Sequence, residues 1–242
     1  MNNTRQIKAF IGTMVLAAAA AAGYAGYLSH TLHLPFALAV LALAAATSRL
    51  KVKLPGINGN MSVNLPFLLT AVVSLSAAEA VVITCVSTAV QCWPKSWPKT
   101  NAKFNYQQMA FNLSMMAFAS SMASLFFHAE GLRGGHNLGL VLATATLFLG
   151  QTAPVAGIVA ISEAKAAGLV WWNVAHLAFP YYVVSVGVTS MVQTMGSHLG
   201  WGLALAVFPV MYAIHRSYQL YFGRIAETLH PPVMVRAAGA GA

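Results

Sequence analysis

Apolar runs near twenty residues recur from one end of this 242-residue chain to the other, separated by short polar stretches. Each run is long enough to cross roughly 30 Å of hydrocarbon. The runs are continuous rather than alternating, which argues against a membrane barrel. The pattern predicts an all-α fold: a polytopic transmembrane helical bundle with helices near 9–29, 34–48, 63–78, 80–91, 104–127, 138–161, 174–194 and 199–224. Together they make one transmembrane domain over 1–229, and the Pro-, Gly- and Ala-rich tail 230–242 is expected to be disordered. The first run follows Arg5 and Lys8 but is longer than a signal-peptide core, so it reads as a helix.

Polar residues punctuate these runs in telling places. The segment Leu54-Pro-Gly-Ile-Asn-Gly-Asn60 reads as a loop. Trp93 and Trp97, followed by lysines, mark a membrane interface, as do Trp171 and Trp172. From Val63 to Gln91 only Glu79 interrupts the apolar stretch, and we divide it there into two short helices. At about 1.5 Å per residue these reach roughly 24 and 18 Å, short of a full crossing. A hairpin starting at one interface would therefore leave a dent open on the far side, with Glu79 at its floor.

Charge then fixes the orientation. Of 13 Lys and Arg residues, all except Arg133 fall on one side once the helices are threaded. By the positive-inside rule that side is cytoplasmic, and so are both termini. Moving or deleting the division at Glu79 would reverse every later loop and spoil the asymmetry. The net charge of +9 is spread over every loop of that face, so a nucleic-acid partner is rejected. Lys51, Lys53, Lys95, Lys99, Lys103, Arg216 and Arg224 are instead expected to touch lipid head groups or a protein partner. Charged residues make up only 7% of the chain, against about 25% in a soluble domain. The expected location is the inner membrane of a bacterium.

Candidate chemistry is sparse. Cys85 and Cys92 are about 10 Å apart along one helix, too far for a disulfide, and read as packing residues. His30, His33, His128, His136 and His198 lie in the outer loops, but their spacings match no metal motif. No metal is expected, and the cofactor is unknown. Four acids in all, with no phosphate loop, triad or paired carboxylates, leave little for acid–base work, so no catalytic residue and no enzyme is expected. Glu79 within membrane depth marks either a cavity or a helix cap. Asn64 stands at the start of the third helix. His176, Tyr181 and Tyr182 flank Pro180, which kinks a helix and frees a carbonyl. With Asn112 and Gln151 they line either a polar ligand site or a set of interhelical hydrogen bonds. Met115, Met116 and Met122 read as packing, and small faces at Ala18/Ala22/Ala25 and Ala37/Leu41/Ala45 suit close helix contact.

Several segments look familiar: Ser48-Arg-Leu-Lys-Val-Lys-Leu-Pro-Gly-Ile57 with Met61-Ser-Val-Asn64, Phe111-Asn112, Phe179-Pro-Tyr-Tyr182, His198-Leu-Gly-Trp201 and the run from Pro209 to Arg224. Over most of 45–228 the chain resembles the membrane-sensor region that precedes bacterial GGDEF or HD-GYP domains, which make or degrade cyclic di-GMP. The short hairpin and Asn64 also look similar, at the level of fold, to the substrate-binding S components of energy-coupling-factor transporters. The first resemblance implies a sensor that binds a small ligand within the bundle or from the outer face. Pro231-Pro232 is expected to stop the last helix. No output domain is then expected here, and the signal would pass to a separate partner or within a homo-oligomer. The second resemblance implies a transporter's binding subunit, and a non-catalytic subunit of a larger membrane complex is a third reading.

Overall fold

The computed structural model describes residues 3–29, 32–53, 60–93, 105–129, 136–199, 209–214 and 216–221. It is all-α apart from one small ribbon. The elements are α1 (Asn3–Leu28), α2 (Leu34–Ser48), β1 (Lys51–Lys53), β2 (Asn60–Ser62), α3 (Leu65–Ser74), α4 (Ala77–Cys92), α5 (Tyr106–His128), α6 (His136–Glu163) and α7 (Ala167–Leu199). Residues 209–214 and 216–221 are also helical. Consecutive helices alternate in direction, so the bundle has a basic end, where the ribbon lies, and an opposite end at the α3–α4 tip.

Among the described residues, four helices are long and apolar enough to cross a membrane: α1, α5, most of α6 and most of α7. Their outward faces carry exposed apolar side chains such as Leu16, Tyr27, Leu149 and Phe179, as lipid contact requires. The helices α2, α3 and α4 are shorter.

Helix α3 is the hub. Its sequence, LPFLLTAVVS, is apolar on every face, and every residue from Leu65 to Val73 is buried. A helix without a polar face can only sit inside. It is enclosed by α2, α4, α5, α6 and α7. Its start at Leu65 follows from Pro66 in the first turn, where a missing N–H costs nothing. The orphan N–H of Leu65 donates to the Tyr181 hydroxyl at 3.0 Å, and Thr189 Oγ1 donates to the Pro66 carbonyl at 3.2 Å. The ribbon is antiparallel, pairing Lys51 with Ser62 and Lys53 with Asn60. Ser62 Oγ ties it to the Ser48 carbonyl at 2.9 Å.

The α3–α4 division differs from the expected one. The break falls at Leu75-Ser76, and Glu79 belongs to the first turn of α4. Ser76 accepts from the Glu79 N–H while the Glu79 carboxylate accepts from the Ser76 N–H, which is a capping box. The expected loop Met195 to His198 is part of α7, which runs to Leu199 through Pro180. The small faces also shift by a residue or so: Ala18, Ala21 and Ala25 are buried on α1, and Ala37, Val40 and Ala44 on α2. The tail 230–242 lies outside the described residues, as do Lys95, Lys99, Lys103 and Arg224.

The α6–α7 corner carries a backbone cost. Ala164 adopts a φ of 52°, and the Lys165 N–H reaches back to the Ala160 carbonyl at 3.1 Å. This is a Schellman ending, whose left-handed position favours glycine. Ala164→Gly is expected to raise stability by about 0.5–1 kcal/mol, seen as a higher Tm in detergent.

Candidate functional site

The expected polar residues come together, with two exceptions, around one cavity of about 190 Å³ in the basic half of the bundle. Asn64 enters from the start of α3, Asn112 from α5, Gln151 from α6, and Tyr181 and Tyr182 from α7. Thr88 and Gln91 of α4 and Ser62 of the ribbon complete the polar lining, while Leu65, Leu68, Met115 and Met116 give it apolar walls. The cavity exists because α3 and α4 are short. They stop inside the basic ends of their longer neighbours, and the space left over is only partly filled by the ribbon.

Most polar groups here already have partners. Asn64 Nδ2 donates to Ser87 Oγ at 2.7 Å, and Ser87 Oγ donates in turn to the Ala44 carbonyl at 3.1 Å. Asn64 precedes α3 but makes no side-chain cap: its backbone is in the αR region (φ −100°, ψ −3°) rather than the extended one usual for a cap. Asn112 Nδ2 points to Cys92 Sγ at 3.3 Å, a weak acceptor. Thr152 Oγ1 donates to the Phe148 carbonyl and accepts from Trp171 Nε1 at 3.1 Å. Gln151 differs: its Nε2 is buried with no hydrogen-bond partner. An orphaned buried donor costs about 1–3 kcal/mol. No Lys, Arg, Asp, Glu or His is among the described residues that line this cavity.

The two exceptions have physical reasons. His176 precedes Tyr181 by five residues, which turns it about 140° around the α7 axis. It is exposed, stacks on Trp172 with ring centroids 6.4 Å apart, and borders a separate cleft with Pro180, Ser217, Tyr218 and Tyr221. Glu79 sits at the opposite end, buried against its own cap. Its carboxylate accepts from the Ser76 N–H at 3.0 Å, Ser76 Oγ at 2.7 Å and the His33 N–H at 2.6 Å. The cap and the link to His33 account for all these bonds.

A dent does open at that end, with a volume of about 600 Å³. The α3–α4 tip from Val73 to Ala77 forms its floor, and Tyr24, Ser29, His33, Ser124 and His128 border it. Glu79 lies behind the floor rather than on it. His128 Nδ1 lies 2.9 Å from the Ser124 carbonyl. His30 and the side chains of His136 and His198 are outside the described residues, and no group of three His, Cys, Asp or Glu forms among those described. Cys85 and Cys92 are free thiols. Of the expected contact residues, Arg216 is exposed and Lys51 half-buried, and Lys53 is placed on the ribbon backbone.

Thr88 and Gln91 escaped the sequence reading, although Thr84, Thr88 and Gln91 form a polar stripe at helical spacing along α4. Met115 and Met116, expected only to pack, both pack and line the cavity.

Fold and cavity together define a class: a helical membrane protein with a partly open, largely apolar cavity in its bundle that carries a few polar side chains. Beyond that class the comparisons add nothing, for no family model, curated protein or solved structure matches the chain.

Proposed function

We propose that this is a sensor-like multi-pass protein of a bacterial inner membrane. It binds a small ligand in the basic-end cavity and signals to a separate cytoplasmic partner. The observation that carries this reading is Gln151 Nε2, a buried donor without a partner beside a cavity large enough for a small molecule. Unsatisfied groups of this kind are rare in folded proteins, and a ligand carrying an acceptor would satisfy this one. The positive-inside rule puts the basic end in the cytoplasm, and with it both termini. The ligand then reaches the inner half of the bundle, the first of the two locations that the sequence left open.

A route for the signal is also present. Tyr181 lines the cavity and packs edge-on against Tyr218, with centroids 6.0 Å apart. A ligand seated against Tyr181 would bias the last helical segment and the exposed Arg216. The resemblance to sensor regions supports the same direction.

Gln151→Leu is the test. Removing an orphaned donor at constant size is expected to leave the ligand-free protein as stable, or about 1 kcal/mol more stable. The retained ligand should be lost, as read by native mass spectrometry of gently purified protein. Equal retention in both forms would remove Gln151 from the site. Transport, as in a binding subunit that meets an energising partner, is favoured by one observation: a cavity lies at each end of α3. Uptake that depends on a co-expressed ATPase would establish it over sensing.

A further inference from the structure

The cavity's size, its orphaned donor and its lack of charge together restrict what fits. We propose that it takes an uncharged single-ring compound bearing an amide, lactam or imide edge, an inference that rests on the small-ligand reading above.

Size comes first. An engineered cavity of about 150 Å³ holds benzene. At about 190 Å³ this one has room for one ring and a small substituent. Polarity comes second. Gln151 Nε2 needs an acceptor from the ligand, and a carbonyl oxygen supplies it. Asn112 Nδ2, engaged only with the sulfur of Cys92, gains from the same oxygen type. The carboxamides also carry acceptor oxygens, which suit a ligand N–H. An edge that presents both C=O and N–H matches this set, whereas a hydrocarbon ring would leave Gln151 unsatisfied.

Charge comes third. With no charged side chain among the described lining residues, a carboxylate or ammonium would give up part of its hydration to largely apolar walls and gain no counter-ion. The apolar walls of Leu68, Met115 and Met116 suit the faces of a ring, and methionine adapts to its outline.

Calorimetry on the full chain in detergent at neutral pH tests this with two matched pairs. Benzamide and uracil are neutral, and benzoate and orotate are their anionic counterparts. At least one neutral probe is expected to bind, with its acid partner and the Gln151→Leu variant each at least about tenfold weaker. An acid that binds as well as its neutral partner, or neutral binding that Gln151→Leu leaves intact, overturns the proposal. Should no probe bind while native mass spectrometry finds a charged or larger molecule lost in Gln151→Leu, the ligand class fails and the small-ligand reading stands. No probe bound and nothing retained sinks both.

Discussion

Gly150→Val is expected to destabilise the bundle by about 3 kcal/mol. A Cβ at position 150 would stand 2.7 Å from Ala119 Cβ and 3.2 Å from Ala119 Cα. Neither atom is the end of a flexible side chain, so relief requires α5 and α6 to move apart. The crossing is close because both sides are small: Ala119 and Ala123 on α5 and Ala143 on α6 are fully buried. In a membrane such contact replaces the hydrophobic driving force that lipid does not provide between helices. Thermal unfolding in detergent measures the loss. Gly150→Ala alone should already destabilise, and adding Ala119→Gly should restore most of it by returning the methyl space. Failure of that rescue would show that the helices do not meet at this pair. Gln151 is the next residue, so separating the helices should also weaken ligand retention.

Glu79→Ala is expected to cost a similar amount, about 3 kcal/mol, at the other end of the molecule. The change leaves Ser76 N–H, Ser76 Oγ and His33 N–H without their acceptor and opens the capping box of α4. Glu79→Gln keeps one acceptor oxygen and should cost about 1 kcal/mol, the usual scale of a cap. Neither change touches the basic-end cavity. Retention per folded molecule in Glu79→Gln should therefore match the unaltered chain. Loss of ligand with the fold intact would mean that the two ends are coupled or that the site is at the tip.

That contrast shows what the sequence could and could not convey. The division between α3 and α4 was legible as a polar interruption, but its place was not read from Glu79 alone. Ser76 three residues earlier completes the capping signature and puts the break before the acid. The cavity residues were legible because Asn64, Asn112 and Gln151 are polar side chains within apolar helices, where each needs a partner. His176 shared that logic, but helical rotation sends it to another face. The end at which the Asn64–Gln151 cavity lies was hidden for a different reason. The shortness of α3 and α4 was visible, yet only tertiary packing divides the missing length between both ends. The Gly150–Ala119 contact had no signature at all, since one glycine in an apolar run looks like any other.

The shortness of α3 has an electrical consequence. Ten residues at about 1.5 Å each give a layer near 15 Å thick, half the usual hydrocarbon depth. With water admitted to the hollow at each end, that layer becomes the main insulator along the protein's axis. A transmembrane voltage would then drop over half the normal distance and roughly double the local field at α3. The dipoles of Asn64 and of the first turn of α3 would lie at the edge of that drop, where a change in voltage acts on their orientation.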